Sequence, residues 1–164
     1  MRSGRTMEEG AALARAEEAC RRRGVQLTEL RRQVLGLVLE AGQPIGAYAL
    51  LDRLRAARPG AAPPTVYRAL DFLLEQGLVH RIERLNAFVP CVEASAGGPC
   101  HGHGHGHGHD HAHQFLICGR CGATSELCDP AVAQAIGAAA AGLGFAAGRV
   151  TVEVEGTCAR CRAG

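Results

Sequence analysis

The chain has 164 residues, 47% of them hydrophobic, with only 4% aromatic residues and no Trp. That is enough to bury an aliphatic core in one ordinary domain or two small ones, and it excludes a wholly disordered chain. All 18 basic residues are Arg; residues 1–92 hold 14 of them against 10 acids, a balance of +4, whereas residues 93–164 carry −2, so only the first part suits a polyanion.

In chain order, EEGAALARAEEACRRR (8–23) predicts a helix stopped by Gly24. A second helix is expected at about 29–41, with Thr28 as its cap, Leu30, Val34, Leu35 and Val38 on one face, and Gly42 past its end. A third covers 46–57, turns Leu50, Leu51 and Leu54 inward, and breaks at Pro59-Gly60. APPTVYRALDFLLEQG (62–77) predicts a fourth, with prolines and Thr65 at its start and Gly77 at its end. Its buried stripe is Val66, Leu70, Leu73 and Leu74, which leaves Tyr67, Arg68 and Asp71 facing something other than the core. LVHRIE (78–83) and AFVPC (87–91) are close enough to pair as a hairpin. Four helices and a hairpin are the order of a winged helix-turn-helix, whose last helix before the wing enters the major groove. Residues 1–92 are therefore expected to be a winged-helix DNA-binding domain.

Residues 93–113 are rich in Gly and His, lack periodicity and read as a linker. Beyond them QFLIC (114–118) and ATSEL (123–127) predict strands, 129–143 an Ala-rich helix capped by Asp129 with Pro130 first, and VTVEVEG (150–156) a half-buried strand. Residues 114–164 thus form a small α/β domain, and the whole is an α+β protein. MRSGRTMEEG is not followed by an apolar signal-peptide region, and AIGAAAAGLGFAAG is too short and Gly-rich to span a bilayer. The expectation is a cytoplasmic protein with no membrane partner, in which eight cysteines serve metals rather than disulfides.

Two CxxC pairs, Cys118/Cys121 and Cys158/Cys161, stand 36 residues apart. Each offers two sulfurs from one tight turn, and together they make the tetrahedral thiolate cage that zinc accepts. A small domain with limited core draws folding energy from such a clip. The remaining candidate ligands are His80, Cys91, the histidines before Cys118, and Glu126. A two-residue turn at Leu85-Asn86 would set His80 opposite Cys91. Arg68 suits guanine O6/N7, and Tyr67 a phosphate or a thymine methyl. Asp52 and Arg55 read as an i,i+3 surface pair, or as a contact with a neighbouring dimer on DNA. His101, His103, His105, His107 and His109 alternate with Gly or Asp in a tract that scavenges metal or is neutral low complexity. Cys20, Cys100 and Cys128 read as ordinary cysteines.

LTELRRQVL (27–35), PPTVYRALDFLLEQGLVHRIERLNAFVPC (63–91) and FLICGRCGATSEL (115–127), with the second CxxC, resemble the ferric uptake regulator family and, within it, its zinc uptake regulator branch. The resemblance covers almost the whole chain. It implies a homodimeric metal-dependent repressor that binds double-stranded operator DNA, with the second domain serving dimerisation. It implies about two zinc ions per subunit, one structural on Cys118, Cys121, Cys158 and Cys161, one regulatory on His80, Cys91, His111 and Glu126. His111 lies seven residues before Cys118 and fits by ungapped spacing; His113 is the alternative. Tyr67 and Arg68 match recognition-helix residues that meet DNA, with Thr65 and Arg31 beside them. The chain departs from the family at Glu29-Leu30-Arg31, where Pro-x-Arg is frequent, and in the inserted His-Gly tract.

A closed site of two imidazoles, a thiolate and a carboxylate leaves no water to activate, so a sensor is expected rather than an enzyme. The alternatives are an iron, nickel or peroxide sensor on the same scaffold, and a His-rich zinc storage or metallochaperone protein. The Cys91 thiolate favours zinc over iron.

Overall fold

The computed structural model describes residues 2–91, 113–127, 129–148 and 150–163. The His-Gly tract, His111, Cys100, Cys128 and most of the expected linker lie outside them. The chain divides into two units, Met1–Gly98 and Pro99–Gly164, with the division falling within the stretch read as a linker.

In the first unit the order is α1 (Arg2–Arg22), α2 (Glu29–Ala41), β1 (Ile45–Gly46), α3 (Ala47–Ala57), α4 (Pro63–Glu75), β2 (Val79–Ile82) and β3 (Ala87–Pro90). α1 begins well before the expected residue 8. β1 has two residues, too short for an alternating pattern to announce it. Val34 and Val38 of α2, Leu50 and Leu54 of α3, and Val66, Leu70 and Leu73 of α4 meet in one core at 1% exposure or less. Burying each such side chain stabilises by roughly 1.5–3 kcal/mol.

α4 starts on Pro63-Pro64, which need no partner for their missing amides. It ends at Gly77, whose φ of 64° places it in the left-handed region. The Gly77 amide donates to Leu74 O at 3.0 Å and that of Leu78 to Leu73 O at 2.9 Å, closing the helix and aiming the chain into β2. The sheet runs β1-β3-β2, all antiparallel, and β2–β3 is the wing.

The second unit contains β4 (His113–Cys118), β5 (Thr124–Leu127), α5 (Pro130–Gly142), β6 (Thr151–Gly156) and α6 (Ala159–Ala163). Asp129 caps α5 by accepting the Ala131 amide at 2.9 Å. The sheet order is β5-β4-β6, with β4–β5 antiparallel and β4–β6 parallel. Phe115 and Ile117 of β4 are buried. β6 departs from the half-buried expectation. Its Val154, paired with Leu116, is 49% exposed, and Leu116 is 43% exposed. Alternation fixes which residues share a face, and this face stays about half exposed.

Candidate metal centre and nucleic-acid interface

β4 delivers Cys118 to a turn, Gly119-Arg120-Cys121, that closes at Gly122. Gly122 has φ 71°, which only glycine adopts without strain, and its amide donates to Cys118 O at 2.9 Å. The parallel register places Cys118 beside Gly156, and Gly119 N donates to Gly156 O at 2.9 Å. That pairing brings Cys158 and Cys161, beyond β6, against the first turn. The four sulfurs lie within 4.8 Å of one another, and Cys121 Sγ is 3.8 Å from Cys158 Sγ. Zinc–sulfur bonds of about 2.3 Å in a tetrahedron require sulfurs about 3.8 Å apart. A disulfide requires about 2.05 Å, and all four thiols are free.

The surroundings favour thiolates unequally. Amide groups of Cys158, Cys121 and Arg120 donating to Cys118 draw its thiol down to about 6. Cys121 is also lowered, first by the Ala123 amide and then by the Arg160 guanidinium. Hydrogen bonds shared with the sulfurs of Cys121 and Cys158 push Cys161 up to about 12. Sulfurs this close hold protons between them, and a divalent cation takes the place of those protons. Four sulfurs so placed could hold one divalent ion with no position left open, the donor set that a structural zinc takes. Among the described residues, this is the single cluster of three or more metal-ligating side chains.

The other expected ligands are placed as follows. His80 on β2 pairs with Val89, and Cys91, just beyond β3, lies opposite Leu78, with its amide donating to Leu78 O at 3.0 Å. The expected His80–Cys91 pairing is therefore corrected by two residues. The turn is the four residues 83–86, because both favoured two-residue turns need φ above zero at their first position. Leu85 would hold that position and does not have it; Asn86, the second, does, at 45°. His80 and Cys91 remain diagonal neighbours on one face of the wing, both buried, at 7% and 4% exposure. Glu126 is half-buried on β5 opposite Phe115, and His113 opens β4.

On α4, Tyr67, Arg68 and Asp71 are exposed on the side away from the core. Thr65 Oγ1 accepts the Ala62 amide at 3.4 Å, which fastens the first turn. The Arg31 guanidinium lies 3.6 Å from the Phe72 ring centroid and donates to Gln26 O at 2.7 Å. Arg55 pairs with Asp52 at 3.5 Å on its own helix and donates to Ala61 O at 3.2 Å. Tyr48, 68% exposed in the first turn of α3, is a further aromatic on this unit's surface, and its place off the Leu50, Leu51 and Leu54 stripe is its one signal in the sequence. The arginines within the two CxxC turns carry no such signal.

A winged helix followed by a small α/β unit with a four-thiolate centre defines the class: a metal-binding, winged-helix DNA-binding protein. No family model matches the chain. It is 44% identical over 149 residues to the zinc uptake regulation protein of Escherichia coli (strain K12), spanning 91% of this chain and 80% of that protein. The fold is similar to a zinc uptake regulator complexed with zinc and DNA, with TM-score 0.83, 42% identity, and 94% of this chain and 95% of that one covered. Holo XcZur gives TM-score 0.78 at 43% identity, covering 93% and 97%. The chain belongs to the ferric uptake regulator family, in its zinc uptake regulator branch.

Proposed function

We propose that this protein is a zinc-responsive transcriptional repressor of zinc uptake genes that binds operator DNA as a homodimer. The observation that carries the reading is the match along 94% of the chain to a regulator complexed with zinc and DNA. The exposed Tyr67–Arg68 edge of α4 supports it as the surface for the major groove, with Tyr48 on the preceding helix meeting the duplex beside it. The half-exposed Leu116–Val154 face supports contact with a second copy. The protein is a regulator and not an enzyme. No helix among the described residues is long and apolar enough to cross a membrane, and we place the protein in the cytoplasm.

Cys118, Cys121, Cys158 and Cys161 hold the structural zinc in this reading. A second, regulatory zinc takes His80, Cys91, His111 and Glu126, with His113 the alternative to His111. Burial of His80 and Cys91 on one face of the wing supports their share of it. The proposed ligands are divided between the two units, so holding one ion constrains the pair. In a dimer that selects one separation of the two recognition helices, and half-sites on a duplex accept only particular separations. A preference of roughly 10⁴-fold for the DNA-competent state moves populations from 1:99 to 99:1. The test is operator affinity with and without a chelator that removes only the labile ion. Loss of binding is expected, and equal affinity would refute the reading.

A further inference from the structure

We propose that Arg120 and Arg160 form a reciprocal clasp across the thiolate centre, balancing its charge and guarding Cys121, the most exposed of its four cysteines. The proposal rests on the reading of the four cysteines as a zinc site. Each CxxC carries arginine at its third position, Cys118-Gly119-Arg120-Cys121 and Cys158-Ala159-Arg160-Cys161. Each arginine reaches the other motif. Arg120 Nη1 donates to the carbonyl oxygen of Cys161, and Arg160 Nη2 donates to Cys121 Sγ at 3.6 Å. The same position in both turns thus makes a cross-link in each direction.

The charge arithmetic gives the clasp its purpose. A divalent ion on four thiolates leaves two negative charges uncompensated, and the clasp brings two guanidinium charges to the same place. Arginine suits this because its charge is permanent and its fork is rigid. The second consequence is chemical. Cys118 is buried, Cys158 and Cys161 are partly covered, and Cys121 is exposed, so a soluble electrophile meets Cys121 first. Attack uses a sulfur lone pair. A guanidinium N–H directed at that sulfur occupies a lone pair and withdraws electron density, making the thiolate a weaker nucleophile. Arg160 is a positioning and shielding residue, and Arg120, bonded to backbone, fastens the two turns together.

The experiment uses the full zinc-loaded chain, with zinc counted first by elemental analysis. Parent, R160M, R160K, R120M and the double methionine variant are treated with iodoacetamide, which forms a sulfur–carbon bond and expels iodide. Alkylation at Cys121 is followed by mass spectrometry. The loss of one exposed charge-assisted hydrogen bond is expected to raise the Cys121 rate by about three- to tenfold in R160M. R160K should restore most of the protection. R120M should speed zinc transfer to a chelator while leaving Cys121 alkylation near the parent rate, and the double variant should combine both effects. In cobalt-substituted protein, the sulfur-to-cobalt charge-transfer band should move to lower energy in R160M and return in R160K, which a purely structural role would not produce. An R160M protein that retains zinc with the parent alkylation rate and band would overturn the clasp. A parent chain whose four cysteines hold no zinc would overturn the zinc reading itself, and the clasp with it.

Discussion

Arg68→Ala is the sharpest probe of how α4 is used. Arg68 stands five residues into a helix that starts at Pro63, about 7.5 Å along its axis, in the N-terminal part that enters the groove. Its own helix buries Val66, Leu70 and Leu73 on the opposite side, and the Arg68 side chain is exposed, so the substitution removes nothing from the core. Stability should move by less than about 0.5 kcal/mol. A bidentate arginine–guanine pair is worth roughly 1–3 kcal/mol of discrimination, or about 5- to 150-fold for each half-site. Two subunits lose it together, so the total approaches roughly 2–6 kcal/mol on a two-fold operator. The assay is fluorescence anisotropy on operator and scrambled duplexes over a range of salt. A base contact weakens the operator alone and preserves the salt dependence. A phosphate contact weakens both duplexes and lowers the slope by about one ion per arginine. Equal weakening of the two duplexes would show that Arg68 does not read bases. Arg31→Met, which removes a guanidinium seated on Phe72, tests the neighbouring arginine of the expected DNA-contacting set. It should lower stability and leave the ratio of the two affinities unchanged.

Three other outcomes follow from packing and backbone geometry. Leu73→Ala, at a fully buried position, should cost about 2–5 kcal/mol in urea unfolding. A value near that of a surface substitution would mean that α4 is not the centre of the core. Gly122→Ala has room for its methyl but must hold φ at 71°, a penalty of roughly 1–2 kcal/mol; it should accelerate zinc loss from the thiolate centre while DNA-unit stability stays fixed. Burial pushes the Cys20 thiol up, with the charges of Arg23 and Arg31 pulling the other way. The neutral thiol is therefore favoured in the fold. Its contribution to stability is intact below the ordinary thiol range and declines as pH rises through it. Iodoacetamide at pH about 8, below the ordinary thiol value, should label Cys20 only after denaturation, and rapid native labelling would contradict its burial.

Much of the first unit is legible because its helices carry strong 3.6-residue stripes bounded by glycine and proline. Val34, Val38, Leu50, Leu54, Leu70 and Leu73 all occupy the core assigned to them. The thiolate cluster is equally readable, since two CxxC turns constrain geometry almost by themselves. The wing register was not, because hairpin pairing depends on the turn and Leu85-Asn86 carries only half the signal of a two-residue turn. Parallel pairing of β4 with β6 involves residues far apart in sequence, with no local pattern to reveal it. The arginine cross-links stayed hidden for the same reason: Arg120 and Arg160 look like surface charges until the two turns are brought side by side.

The Leu116–Val154 pair has a consequence for how stability is measured. A sheet that leaves apolar side chains to water in one copy gains free energy when a second copy excludes that water. Folding of this unit is then linked to association by mass action, and its melting temperature rises with protein concentration. Dilution alone should loosen the second unit while the winged helix, whose core is complete within one chain, melts independently of concentration.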